Sequence, residues 1–253
     1  RDCDAVIALG DMEALERMAH EMGCYAAENR FDHPGDLGTL SRLKISRPRQ
    51  ASFIRPLTPS ETHLTRAAAA ACAGAKETGG RLVIIPPDDA ASAWKNIASK
   101  AAMFSALQMP RAATLEEAVS LILSEGEEQT VFLCSSRAAR VLNRISCYLD
   151  GLEALAYTAF LSETKTLYAV PSLKEGGGIG LFAALYATAD LLRRGLRLRQ
   201  EGDCLNTAVD NVLASGWRTA EIGMNGKTVS SDEILRLVSE QVALAGELFE
   251  RLR

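Results

Sequence analysis

Glu175-Gly176-Gly177-Gly178-Ile179-Gly180-Leu181 opens the stretch whose reading decides the fold, and Arg218-Thr219-Ala220-Glu221-Ile222 closes it. Three successive glycines let the backbone take φ > 0 or pass very close to a neighbour. After them, Ile179 to Arg194 reads as an apolar helix that Gly195 stops. A second helix is expected from about Asp203 to Ala214, with Gly216 as its stop.

Working back to the start, Asp4 to Gly10 is a short apolar run closed by glycine, and Met12 to Met22 is an amphipathic stretch that ends at Gly23. These predict a strand, a turn and a helix, with Gly23 to Ala27 as a return strand. Because the first strand begins almost at residue 1, the chain reads as opening in mid-domain. Residues 30 to 50 carry Pro34, Gly35, Gly38 and Pro48 without a sustained period, which predicts a crossover loop.

Ala51 to Leu57 is the next strand. Thr58-Pro59-Ser60-Glu61 then reads as a capping box with proline at the first helical position, launching an alanine-rich helix that ends before Gly79-Gly80. Arg81 to Ile85 is a strand broken by Pro86-Pro87-Asp88, and a helix follows from about Asp89 to Leu107. Thr114 with Glu117 is a second capping box, for a helix ending near Glu125-Gly126. A strand at Thr130 to Cys134 leads through Ser135 or Ser136 as cap into a helix to about Leu149. Strands at Tyr157 to Ser162 and Thr166 to Val170 precede the glycine turn, and Ser230 with Glu233 caps a closing helix to about Leu252. This alternation predicts an α/β fold, a parallel sheet with helices on both faces.

At 253 residues, 47% hydrophobic and 24% charged, the chain can bury a full core and holds one large or two modest domains. A net charge of -4, with no Lys/Arg block clear of acids, argues against nucleic acid and anionic membrane as partners. The six cysteines are scattered and lie in part within apolar runs, so they read as thiols of a reducing cytoplasm. No secretory h-region and no span of about 18 apolar residues is present.

Candidate chemistry is sparse. The glycine turn could hold a phosphate on free backbone N–H groups, but it follows neither the dinucleotide fingerprint nor a P-loop, and a tight structural turn is the plainer reading. Arg137, Arg140 and Arg144 share one helix face at spacings of three and four, so an anion beside them would relieve their repulsion. The alternative is a solvated basic face. His20, His33 and His63 have no ligand spacing with one another or with cysteine. Asp88-Asp89 could bind a cation, although the dipole of the following helix explains an acidic pair there.

The runs Leu181-Phe182-Ala183-Ala184-Leu185-Tyr186 through Leu196, and Ala208 through Trp217-Arg218-Thr219-Ala220-Glu221-Ile222, resemble the C-terminal end of the isopropylmalate/isocitrate dehydrogenases, the β-decarboxylating dehydrogenases. The likeness is strongest from Gly178 to Glu240 and weaker but collinear from Ala5 onward. It implies a two-domain α/β fold with a parallel or mixed sheet flanked by helices. One domain would comprise residues 1–51 and 161–253, and a central one residues 52–160, with dimer helices. The family's catalytic lysine falls at Ile84 to Pro87, where this chain has none. Its metal-holding aspartates fall at Arg140 and Arg144, and arginine repels a divalent cation. Its nicotinamide-site His-Gly and Asn-Pro fall at Tyr168-Ala169 and Leu181-Phe182. Its substrate-clamping arginines fall near Ala19 and, with one insertion, at Arg30.

The resemblance therefore implies a diverged, non-catalytic or repurposed relative that binds an acidic small molecule or a partner subunit. Its anion-binding residues would be Arg137, Arg140, Arg144 and Arg30, with no catalytic residue, metal or cofactor. The alternatives are an active dehydrogenase of the 3-isopropylmalate type, using NAD and Mg²⁺ or Mn²⁺, and a structural subunit of a hetero-oligomer. Val141 to Tyr157, with Leu142, Ile145, Tyr148, Leu149, Leu152 and Leu155, implies a homodimer or a complex with a homologue.

Overall fold

The chain is seen as a computed structural model, which describes residues 5–10, 12–29, 51–124, 129–150, 153–162, 164–173, 178–222 and 226–251. Ten strands and eight α-helices are present among these residues. In chain order they are β1 (Ala5–Gly10), α1 (Met12–Glu21), β2 (Tyr25–Asn29), β3 (Ala51–Pro56), α2 (Glu61–Thr78), β4 (Arg81–Ile85), α3 (Ala91–Phe104), β5 (Arg111–Ala112) and α4 (Leu115–Leu123). There follow β6 (Thr130–Cys134), α5 (Ser136–Asp150), β7 (Tyr157–Leu161), β8 (Thr166–Pro171), α6 (Leu181–Asp190), α7 (Arg199–Ala214), β9 (Trp217–Arg218), β10 (Lys227–Thr228) and α8 (Ser231–Arg251).

One eight-stranded sheet runs in the order β1-β8-β7-β2-β3-β6-β4-β5, and β9 and β10 form a small parallel pair apart from it. The sheet is mixed rather than parallel throughout. β3, β6, β4 and β5 are parallel neighbours, as are β1 and β8, but β2 runs antiparallel to both β3 and β7, and β7 runs antiparallel to β8. The reversal at β7–β8 follows from its short connection, closed by Ser162 N donating to Lys165 O, because a tight hairpin joins only antiparallel strands.

Both sheet faces are covered, so the inner strands are apolar on both sides. On the first face, Ile54, Leu82, Ile84, Val131, Leu133, Ala159 and Tyr168 pack with residues of α2, α3, α6, α7 and α8. On the second, Phe53, Val83, Ile85, Phe132 and Cys134 lie under Ala118 and Ile122 of α4 and Ala138, Ala139 and Leu142 of α5. Further along that second face, Ala26, Phe160, Leu167 and Ala169 lie under Leu15 and Ala19 of α1. The register joins the two patches: Ala26 pairs with Arg55, and Arg55 and Phe53, two residues apart, share a face. Thus α1 and α5 stand on one side of the sheet, over opposite halves.

Several helix signals act as expected. Thr114 and Glu117 form the complete reciprocal box at the start of α4, and Gly79 ends α2 in the left-handed conformation at φ 64°. Others are corrected. The cap of α2 is Ser60, whose hydroxyl accepts from His63 N, so Thr58 and Pro59 lie before the helix rather than in it. Ser230 caps Glu233 N, but the Glu233 carboxylate turns to Arg236 instead of back to the cap. α4 stops at Leu123, and α7 begins at Arg199, ahead of the expected Asp203. The helix expected through Arg194 changes at Leu191 into a π turn, Leu191–Gly195, in which Leu196 N donates to Leu191 O.

Candidate functional site

The basic face is built by α5. At the carboxyl end of β6, Ser135 Oγ accepts from Ala138 N at 3.3 Å and starts the helix. Ala138, Ala139, Leu142 and Ser146 take the buried stripe, which turns Arg137, Arg140 and Arg144 to the opposite, exposed side. Among the described residues no carboxylate lies within ion-pair distance of any of the three. Open α/β sheets hold ligands outside the carboxyl ends of their strands, and α5 begins at such an end. Arg30, the fourth expected anion ligand, lies outside the described residues.

Across β2 and β3, α1 presents different chemistry. A groove of about 430 Å³ is lined, among the described residues, by Glu13, Glu16, Arg17, His20 and Glu21. Below it, Arg55 of β3, only 3% exposed, places Nη1 3.0 Å from Glu16 Oε1. A guanidinium taken out of water needs such a partner. The sequence reading missed this pair, although an arginine inside Ala51-Ser52-Phe53-Ile54-Arg55 was its visible signal. Ala19, where the resemblance sets one substrate-clamping arginine, is fully buried against the sheet and can touch no ligand.

The remaining candidates separate. Residues 174–177 of the glycine turn lie outside the described residues, while its flanks pair, Leu173 N donating to Gly178 O at 2.8 Å and Ser172 bridging Ile179. His63 turns Nδ1 to Ser60 Oγ at 2.6 Å, a capping role. His33 lies outside the described residues. Asp88 and Asp89 open a 3₁₀ turn ahead of α3. Among the described residues no group of three or more His, Cys, Asp or Glu side chains gathers to hold a metal ion. The apolar set expected to form a dimer surface is partly spent inside the chain, since Leu142 and Leu155 are buried in its core. The side chains of Tyr148, Leu149 and Leu152 lie outside the described residues.

Burial has a consequence at high pH. It pushes the Cys24 and Cys72 thiols up, and likewise the Tyr25, Tyr168 and Tyr186 hydroxyls, Tyr186 helped by donating to Asp210 Oδ1 at 2.7 Å. The unfolded chain releases these protons first, so it binds fewer than the folded chain and stability falls as pH rises. The contribution is whole below the unfolded values, about 8.5 for thiol and about 10 for phenol, and is lost above them toward the raised folded values. Thermal melting should therefore drop steeply above about pH 10. A melting temperature flat from pH 9 to 11 would show these groups to be solvated.

Known proteins fall into line with this architecture. No family profile matches the chain. The 3-isopropylmalate dehydrogenase of Haemophilus influenzae is 25% identical over 134 residues, covering 51% of this chain and 37% of that protein. The chain thus matches little more than a third of the relative's length. In three dimensions, the β-decarboxylating dehydrogenase of Thermococcus kodakarensis superposes with a TM-score of 0.73 at 16% identity, over 98% of this chain and 80% of that one. The isocitrate dehydrogenase of Methylococcus capsulatus gives 0.72 at 12% identity, over 92% and 76%. The fold is that of the isopropylmalate/isocitrate dehydrogenases. The sequence match to 3-isopropylmalate dehydrogenases carries the same resemblance. Among the described residues no helix is long and apolar enough to cross a membrane.

Proposed function

We propose that this chain is a diverged, non-catalytic relative of the β-decarboxylating dehydrogenases that binds an acidic small molecule on the outer face of α5. The observation that carries the reading is the row Arg137, Arg140 and Arg144, exposed on one helix side with no carboxylate partner among the described residues. In the register of the resemblance, Arg140 and Arg144 stand where the family places its metal-holding aspartates. Guanidinium groups offer only donors and positive charge, so these residues do not fit Mg²⁺ or Mn²⁺. They do fit carboxylate or phosphate, which each can engage through two parallel N–H bonds. This reading assigns α5 to a central unit of residues 52–160, facing one made of residues 1–51 and 161–253.

Ligand linkage tests it. An anion at a hundredfold excess over its Kd adds about 2.7 kcal/mol of stability. For a chain of this size each kcal/mol moves the melting temperature by about 2–4 °C. Citrate or sulfate should raise the melting temperature, and Arg140→Ala with Arg144→Ala should abolish the rise, while millimolar NAD with Mg²⁺ should leave the protein unshifted. An undiminished anion response in the double variant would remove α5 as the site. Turnover of isopropylmalate would replace the reading with that of an active dehydrogenase.

A further inference from the structure

α1 and α5 cover opposite halves of the second sheet face, and they run in opposite directions. β1 and β2 are parallel to each other by way of β8 and β7, so α1 between them returns against both. β6 and β7 are likewise parallel to each other but opposed to β1 and β2, so α5 returns the other way. On each helix the buried stripe fixes which side faces out. Leu15 and Ala19 hold α1 to the sheet and turn Glu13, Arg17, His20 and Glu21 outward, with the Glu16 side chain 35% exposed beside them. On α5 the outward side carries Arg137, Arg140 and Arg144, with Val141, 37% exposed, between them.

The two faces are opposite in charge. Three glutamates stand against one arginine on α1, and three arginines stand on α5 with no acid among its described side chains. Glu16 is engaged from below by Arg55, while among the described residues Glu13 and Glu21 are in no ion pair. The charges also match in length. At 1.5 Å of rise per residue, Glu13 and Glu21 lie about 12 Å apart along α1, and Arg137 and Arg144 about 10.5 Å apart along α5. The groove of about 430 Å³ on α1 leaves room for guanidinium groups to enter.

Such a face is complementary to itself. A two-fold axis lying along the helices, between two copies, carries each α1 onto the other copy's α5 and forms both opposite-charge contacts at once. The helices then meet antiparallel, with Glu13 at the Arg144 end and Glu21 at the Arg137 end. An axis across the helices would instead set α5 on α5, arginine against arginine, which like-charge repulsion opposes.

We propose that a second copy of this chain docks here, α1 of each protomer against α5 of its partner, so that glutamates of one copy fill the arginine row of the other. The inference rests on the reading of α5 as an anion site and adds a control to it. A small anion and the second copy compete for Arg140 and Arg144, so the anion releases the dimer.

Sedimentation of the whole chain at micromolar concentration in low salt should give twice the chain mass. Citrate should lower that mass more than sodium chloride of equal ionic strength, because it competes as well as screens. Two variants test the pairing, one Arg140→Glu with Arg144→Glu and the other Glu13→Arg with Glu21→Arg. Each alone sets like charges together at both contacts, so its dimer dissociation constant should rise about tenfold or more. Mixed, the two are complementary at both contacts and should form a heterodimer. A monomeric wild type, variants that dimerise as the wild type does, or no heterodimer on mixing would each overturn the proposal. If a reversal does not fold, glutamine at the same positions must still weaken the dimer. Glu13→Gln with Glu21→Gln removes the dimer but keeps the arginines, so citrate should still raise its melting temperature. Loss of that rise in a variant made monomeric would remove the small-molecule reading of α5 and leave the docking in place.

Discussion

Phe132→Ala is expected to lower the stability of the chain by about 3–5 kcal/mol. Phe132 sits in the middle of β6, between β3 and β4, with no exposed surface. Its ring stacks on Phe53 at 5.5 Å between centroids, and the helix residues above it, Ala118, Ile122, Ala138, Ala139 and Leu142, include three alanines that have no length to collapse into a void. The loss is therefore the full transfer term plus a cavity term. At about 2–4 °C per kcal/mol the melting temperature should fall by roughly 6–20 °C. Phe132→Leu keeps most of the volume and should cost much less, about 1.5 kcal/mol or under. Equal losses in the two variants would mean that packing around β6 is looser than this geometry. Because α5 rests on the same cluster, Phe132→Ala should also weaken any anion response through Arg140 and Arg144.

Gly180→Ala is the second large effect, about 3 kcal/mol or more. Gly180 caps α6 at φ -63° and ψ 110°, a conformation open to any residue, so the cost is not one of backbone strain. It is steric. An added Cβ would come 2.2 Å from Ala154 O and 3.0 Å from its carbonyl carbon, backbone atoms with no rotamer to retreat into. To relieve the overlap, α6 must lift from the 3₁₀ turn Glu153–Leu155, disturbing Phe182, Ala183 and Tyr186 in the core. Gly178→Ala is the matched control, since a Cβ there meets nothing within 4 Å. Denaturant melts of the two variants should differ severalfold in lost stability, and similar losses would show that the turn, not the close approach, requires glycine.

How far residues alone reveal this protein varies by element. α2 and α4 were legible to within a few residues, because a cap at one end and a glycine at φ 64° after α2 act through hydrogen bonds a few residues long. Gly202 shows where such local rules misled. Glycine disfavours a helix interior, and the expected start of α7, about Asp203, falls just after it. In the fold it lies within α7, where a Cβ would stand 2.6 Å from Ala189 O, so glycine is there to let two helices approach. The basic row on α5 was legible from spacing and its exposure is as the pattern required, whereas the acidic groove on α1 and the Arg55–Glu16 pair were not, since 39 residues of chain separate the two partners.

From sequence alone came the helix limits set by caps and glycines, the apolar strands buried on both sides, the resemblance to the β-decarboxylating dehydrogenases, and the row Arg137, Arg140 and Arg144. Only the tertiary structure decided the antiparallel course of β2 and β7, the π turn after Asp190, and the pairing of buried Arg55 with Glu16. The division has one physical cause. Caps, turns and helical periods are settled by hydrogen bonds and sterics within a few residues, while strand direction and buried polar partners depend on which distant surfaces exclude water together.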